Sequence, residues 1–227
     1  IGAGPPIRVT TSPAADRIPA WSPDGLYIAF IRVSEGESGI FLVPALGGPE
    51  RKIASLQQED RDVWDWYGTG LSWSPDGKYL VVSDRSNPQA PAGLFVMAVD
   101  RSEKRPLTSR SNQSSGVPVS MVRAEFVGDL APAVSPDGKT VAFYRLKGVG
   151  TGDIYLVPFA GGGEPKRLTF EETWLERPAW TPKGLELIFS SGGPFASSSC
   201  VRRSETRPVG RSESDPPEGG SFYALLI

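Results

Sequence analysis

Short apolar runs recur along this chain at a near-regular interval, each bounded by turn-forming residues. One set is Tyr27-Ile28-Ala29-Phe30, Tyr79-Leu80-Val81-Val82, Val141-Ala142-Phe143-Tyr144 and Leu187-Ile188-Phe189. A second set is Ile40-Phe41-Leu42-Val43, Leu94-Phe95-Val96-Met97 and Ile154-Tyr155-Leu156-Val157. Runs this short, rich in aromatic and β-branched residues, read as strands. They are apolar at consecutive positions, so the sheets they form must be covered on both faces. No stretch of ten or more residues carries a helical period, and the class expected is all-β.

The turns repeat as well. Trp21-Ser22-Pro23-Asp24-Gly25 recurs as Trp73-Ser74-Pro75-Asp76-Gly77, as Val134-Ser135-Pro136-Asp137-Gly138 and, decayed, as Trp180-Thr181-Pro182-Lys183-Gly184. In such a turn Pro pre-sets φ at the first corner, Asp caps with its carboxylate, and Gly accepts positive φ at the last. The motif glycines are 52, 61 and 46 residues apart. Steps of roughly 40 to 50 residues suit a four-stranded propeller blade, and the longer steps need loop insertions. The Ser-rich run from Ser109 to Gly116 is one such insertion. A basic-apolar segment closes each unit: Arg51-Lys52-Ile53, Arg105-Pro106-Leu107-Thr108 and Lys166-Arg167-Leu168-Thr169. Ile7-Arg8-Val9-Thr10 matches it and reads as the end of a blade lying mostly before Ile1. Each unit is then strand a, the Ser-Pro-Asp-Gly turn, strands b, c and d, and a longer loop to the next strand a. Radial stacking of such units covers both faces of every sheet.

Composition narrows the chemistry. The 26 Gly and 22 Pro make up about a fifth of 227 residues, against roughly 12% in average usage, as a turn-rich fold requires. The 39% apolar content and six Trp argue against disorder through most of the chain. With 24 basic and 26 acidic side chains and a net charge of −2, direct nucleic-acid binding is not expected. There is no His, so the chain alone builds neither a His-dependent nucleophile nor a His-ligated metal site. The single cysteine, Cys200, forms no internal disulfide and has no His to activate it. No catalytic residue, metal site or cofactor is expected. No apolar run approaches the ~18 residues of a membrane span.

In these motifs the chain resembles the TolB-type propeller repeats, relatives of WD repeats, over about residues 7–192. The runs Val43-Pro44-Ala45-Leu46-Gly47-Gly48-Pro49-Glu50-Arg51 and Val157-Pro158-Phe159-Ala160-Gly161-Gly162-Gly163-Glu164-Pro165 are similar to versions fused to bacterial regulators and kinases. The resemblance implies a β-propeller with about four recognisable four-stranded blades. The family usually closes with six or more, so an incomplete arc of a larger propeller is expected. Its open blade ends are then available for self-association.

Residues 1–199 are assigned to the blades and 200–227 to an irregular tail. By spacing, strand c of the fourth unit should start near 199–201. The stretch after Ser199 is instead rich in Arg, Ser, Glu, Pro and Gly up to Gly220. A disordered tail and a shifted reading frame near codon 199 both account for so abrupt a change.

Two sets of residues stand out as candidates for binding. The loop before the second motif holds Trp64, Trp66 and Tyr67 among acids. Loops joining strand d to the next strand a surround one mouth of a propeller, and aromatics there suit partner recognition; packing between blades is the alternative. Arg32 and Arg145 lie seven residues after their motif Gly, and Arg85 lies eight after. They could gather an anionic ligand or a partner's carboxylate at that mouth, or pair with local acids such as Asp84. Asp24, Asp76 and Asp137 read as turn caps, since Lys183 replaces them in the fourth copy.

Three functions fit. The first is a non-catalytic protein-interaction or sensory module within a larger bacterial protein, with a protein or peptide partner. The second is the substrate-gating propeller of a prolyl-oligopeptidase-type hydrolase whose catalytic domain lies outside this chain. The third is a TolB-like periplasmic scaffold. Periplasm and cytoplasm both remain open as compartments.

Overall fold

A computed structural model describes residues 7–34, 37–57, 70–88, 90–101, 103–109, 128–148, 151–170, 175, 177–191, 201–204 and 221–226. The described elements are all strands, grouped in four sheets. The first blade is β1 (Ala15–Trp21), β2 (Tyr27–Ser34), β3 (Glu37–Pro44) and β4 (Arg51–Leu56). The second is β5 (Leu71–Trp73), β6 (Tyr79–Asp84), β7 (Gly93–Ala98) and β8 (Lys104–Pro106). The third is β9 (Gly128–Val134), β10 (Thr140–Gly148), β11 (Thr151–Pro158) and β12 (Lys166–Arg167). Within these three, consecutive strands are antiparallel neighbours.

The fourth sheet contains β13 (Ala179–Trp180), β14 (Glu186–Ser191), β15 (Val201–Ser204) and β16 (Ser221–Leu226), in the order β13-β14-β16-β15. β16 lies antiparallel to β14 in the place of a strand c, and β15 runs parallel to β16. Two strands therefore fall within the segment read from sequence as an irregular tail.

The turn motif folds as its residues dictate. In the first copy the Gly25 N–H donates to the Ser22 carbonyl at 2.9 Å, and Gly25 has φ 71°. The Ser22 hydroxyl donates to Asp24 at 2.5 Å, and that carboxylate accepts the Leu26 N–H at 3.0 Å. Ser74–Asp76 and Ser135–Asp137 repeat this arrangement. The serine hydroxyl, followed by the backbone N–H, holds each of the three aspartates below the usual carboxylate range. In the fourth copy the Gly184 N–H still donates to the Thr181 carbonyl at 2.8 Å, so the turn forms with Lys183 in the aspartate's place.

The core lies in the seams between blades. Ala29, Ile31, Ile40 and Leu42 of the first blade pack against Leu80, Val82 and Met97 of the second. Val81, Leu94 and Val96 on the other face of the second meet Val141, Phe143 and Val157 of the third. Leu130, Tyr144 and Ile154 of the third meet Leu187 and Phe189 of the fourth. Alternation along each strand thus feeds two seams, which is why the strands are apolar throughout.

Strand a carries a feature the pattern of apolar runs did not predict. Ile18-Pro19 and Ala131-Pro132 form bulges in β1 and β9, where the register skips from Arg17 to Ala20 and around Ala131. Ile18 has φ 55° and Ala131 φ 50°, a backbone conformation costing about 1–3 kcal/mol for a residue other than Gly. As an edge strand, strand a tolerates Pro because the missing N–H has no ladder partner to lose. β5 of the second blade has no bulge.

Candidate functional site

Sheet register decides which charged side chains are equivalent. Arg32 lies across from Gly39, Asp84 across from Gly93, and Arg145 across from Asp153. Counted from the paired aromatics of strand c, these are the same position in three blades. Asp84, not Arg85, is therefore the counterpart of Arg32 and Arg145. Arg85 lies one residue beyond the end of β6, and its guanidinium donates to the Pro88 carbonyl at 3.0 Å.

In the first blade Arg32 forms a bidentate pair with Asp16 at 2.7 and 2.9 Å and a second pair with Glu50. It lies over the stacked rings of Phe30 and Phe41, at 5.2 and 4.7 Å from their centroids. The third blade repeats this. Arg145 pairs with the fully buried Asp129 at 2.7 and 2.8 Å and lies over Phe143 and Tyr155 at 5.3 and 4.7 Å. The Arg32 hydrogen bond holds the Glu50 carboxyl below its usual range. Burial pulls the Arg145 guanidinium downward, but the Asp129 hydrogen bond and charge prevail and raise it.

The second blade exchanges the charges. Asp84 stands in the arginine's place and pairs with Lys104, which holds the place of Glu50 at the start of strand d. The ammonium lies 4.3 Å from the Phe95 ring centroid. Asp84 also accepts the Gln57 N–H of the first blade at 2.9 Å, so this pair spans a seam. Asp153 in the third blade is a further buried carboxylate, bonded to Lys147 at 3.0 Å, Arg167 at 2.7 Å and the Thr169 hydroxyl at 3.2 Å. The ion pairs Asp84–Lys104 and Asp16–Arg32–Glu50, and the Asp153 cluster, were not identified from sequence. The repeated Pro-Glu-Arg and Glu-Lys-Arg triplets at the starts of strand d were the available signal.

Arg32 and Arg145 are thus each held against carboxylates of their own blade, as in the local pairing weighed from sequence, with Asp16 and Asp129 as partners rather than Asp84. Trp64, Trp66 and Tyr67 lie outside the described residues. Gln57 and Gly70, which flank that segment, do lie at the end of the blades where β2 and β6 finish: Leu56 pairs beside Ser38, and Leu71 opposite Val82. Gln57 and Gly70 therefore both lie at the end that carries Arg32 and Asp84.

At the opposite end, Arg51 donates to the Val99 carbonyl at 3.3 Å across the first seam, and Arg105 to the Phe159 carbonyl at 2.9 Å across the second. In the second seam the Phe159 ring fills the space beside Tyr79, with centroids 5.9 Å apart. In the first seam Val99 is smaller, and a groove of about 500 Å³ opens between Arg51, Lys78, Tyr79 and Glu103. Among the described residues no group of three or more acidic or Cys side chains is placed to hold a metal ion.

Comparison with known proteins fits this architecture. No protein-family model matches the chain. The uncharacterized peptidase YuxL of Bacillus subtilis (strain 168) is 26% identical over 175 residues, covering 76% of this chain and 21% of that protein. The Tol-Pal system protein TolB of Syntrophus aciditrophicus (strain SB) is 44% identical over 50 residues, 22% of this chain and 11% of that protein. The chain thus spans about a fifth or less of the length of these two relatives. Among solved structures, TolB from Acinetobacter baumannii superimposes with a TM-score of 0.61 at 22% identity, over 83% of this chain and 40% of that one. A prolyl endopeptidase superimposes with a TM-score of 0.54 at 15% identity, over 78% of this chain and 25% of that one. The chain has the TolB-type β-propeller fold, as an arc of four blades.

Proposed function

We propose that this chain is a non-catalytic interaction module of a larger bacterial protein, and that it recognises a protein or peptide at the end of the blades where the strand b termini and the 58–69 segment meet. The observation that carries this reading is the position of Gln57 and Gly70. They flank Trp64, Trp66 and Tyr67 in sequence and themselves lie at the end bearing Arg32 and Arg145. Large aromatics beside fixed charges on a stiff sheet framework are the make-up of an interface hot spot. The likeness to a Tol-Pal system protein supports a protein partner.

The test is selection of binding peptides from a random displayed library against the whole chain. A triple variant, Trp64→Ala with Trp66→Ala and Tyr67→Ala, should lose binding by at least about tenfold while its circular dichroism is unchanged. Selected peptides that bind the triple variant equally well would sink the reading.

The match to YuxL favours one second reading, a propeller that gates access to a hydrolase domain. Sequencing the gene on both sides of the region encoding this chain separates the two. A Gly-x-Ser-x-Gly elbow followed by a His supports gating, and a regulator or kinase domain supports the interaction module.

A further inference from the structure

One position of the repeat carries a different side chain in each of the first three blades. It is the residue directly after strand c, whose N–H donates to the carbonyl that follows the motif Gly. Ala45 donates to Leu26 at 2.9 Å, Val99 to Lys78 at 3.0 Å and Phe159 to Lys139 at 2.8 Å. In the second seam Phe159 reaches the preceding blade. Its ring lies edge-on to Tyr79, with centroids 5.9 Å apart. The Arg105 guanidinium lies 6.0 Å from the Phe159 ring centroid and donates to the Phe159 carbonyl at 2.9 Å. The second seam thus shows this position when it is filled, by an aromatic ring beside a guanidinium.

The first seam, between two blades of the chain itself, keeps the guanidinium and lacks the ring. Arg51 lies across from Leu42 as Arg105 lies across from Val96, at the same register position, and it donates to the Val99 carbonyl at 3.3 Å. Tyr27 opens β2 as Tyr79 opens β6, but has no aromatic neighbour among the described residues. Val99 supplies only two methyl groups where Phe159 supplies a ring, and the groove of about 500 Å³ opens beside it, between Arg51, Lys78 and Glu103. The charges at its rim do not balance. Asp100 lies 3.4 Å from Arg101, which leaves Arg51 and Lys78 against Glu103. Neither of those two cations forms an ion pair among the described residues. The first blade also exposes aliphatic side chains at this end. Leu26 is 62% and Leu46 97% exposed, at turn positions where the second blade has Lys78 and Asp100 and the third has Lys139 and Ala160.

We propose that the first seam is a second binding site, at the end of the blades opposite Arg32, and that it takes an aromatic side chain of a protein partner together with a neighbouring carboxylate. The ring takes the place beside Arg51 that Phe159 takes beside Arg105. A guanidinium over an aromatic face is attractive in its own right, and the second seam shows that this repeat accommodates it. The carboxylate is met by the Arg51 donors that Val99 leaves unused and by Lys78. Leu26 and Leu46 offer apolar surface beyond a single ring, which suits a peptide segment better than a lone aromatic acid.

Amide NMR titration of the whole chain at millimolar probe concentration tests this. The probe is N-acetyl-Phe-Glu-amide, with the Leu-Glu and Phe-Lys counterparts as comparisons. The Phe-Glu probe should shift the amides of Arg51, Lys78 and Val99 and bind about threefold more tightly than either comparison. Val99→Phe fills the site from within, as Phe159 does in the next seam, and should abolish these shifts. Arg51→Ala removes an exposed side chain and should weaken binding about fivefold with unchanged circular dichroism; it carries the test if the filled variant does not fold. The triple variant Trp64→Ala, Trp66→Ala, Tyr67→Ala should bind the probe normally, so failure at either end of the blades is told apart from failure at the other. Absence of shifts at these amides, equal binding of the three probes, or undiminished binding to Val99→Phe and Arg51→Ala would each overturn the proposal. Sedimentation adds one more outcome: a wild-type dimer that Val99→Phe abolishes would give the seam to a second copy of the chain and overturn it too.

Discussion

The Trp73 indole N–H and the Ala20 carbonyl, 53 residues apart in sequence, meet at 3.1 Å across the first seam. Replacing Trp73 by Phe keeps most of the apolar contact and strands that carbonyl. The expected cost is about 1 kcal/mol. Trp21→Phe should leave the stability of the monomer unchanged, because Trp21 is exposed. Denaturant titration of the two variants in dilute solution checks the contrast, and equal losses would refute the seam role of Trp73.

The exchanged pair Asp84–Lys104 offers a double-mutant test. Asp84→Asn leaves the ammonium without its counter-charge and weakens the acceptor of the Gln57 N–H. Asp84 is fully buried but Lys104 keeps some access to water, so the loss is about 2 kcal/mol, below the full cost of breaking a buried pair. Asp84→Arg with Lys104→Glu rebuilds the polarity of the first blade. It should destabilise less than Asp84→Arg alone, read as a favourable coupling energy in a cycle of urea titrations.

Gly70 is a packing glycine. A Cβ added there would come within 3.0 Å of Ala131 Cα and 3.1 Å of Pro132 Cδ, at the bulge of the third blade. Neither is the end of a flexible side chain, so Gly70→Ala should cost about 1–3 kcal/mol by overpacking. Gly25→Ala meets no neighbour, and its cost is only that of positive φ. A thermal melt in which Gly70→Ala is as stable as the wild type would contradict this.

Acid should destabilise the fold over a defined window. Asp24, Asp76, Asp137 and Glu50 all have lowered values in the folded state, the aspartates through serine hydroxyls and Glu50 through Arg32. A depressed carboxyl contributes its full stability above its unfolded value, near 3.8 for Asp and 4.5 for Glu, and loses it as pH falls through the folded value. With no His in the chain, no side chain of ordinary pKa other than Cys200 approaches titration between pH 5 and 8. Tm should be level from pH 8 to 5 and fall below about 4.5. Calorimetry across that range decides it; a mid-range step would point to a titrating group outside this set.

The sequence alone determined the local units. Each Ser-Pro-Asp-Gly turn is closed by bonds between residues two to five apart, as in Ser22 to Asp24 and to Tyr27. Its outcome depends on nothing distant, and the four repeats, their strands and the propeller class were legible from it. Tertiary structure decided everything that crosses a seam. The bonds Trp180 to Ala133, Trp73 to Ala20 and Val134 to Ser72 join residues 47, 53 and 62 apart. That Asp84 rather than Arg85 is the counterpart of Arg32 was legible in the spacing, since each lies seven residues after its motif glycine, but its pairing with Lys104 and with Gln57 across the seam was not. The bulges at Ile18 and Ala131 could not be read from the pattern of apolar runs either. Each lies two residues before a carbonyl, of Ala20 or Ala133, that the indole of the next blade bonds, and stacked blades bring such partners together at distances that no local rule of sequence encodes.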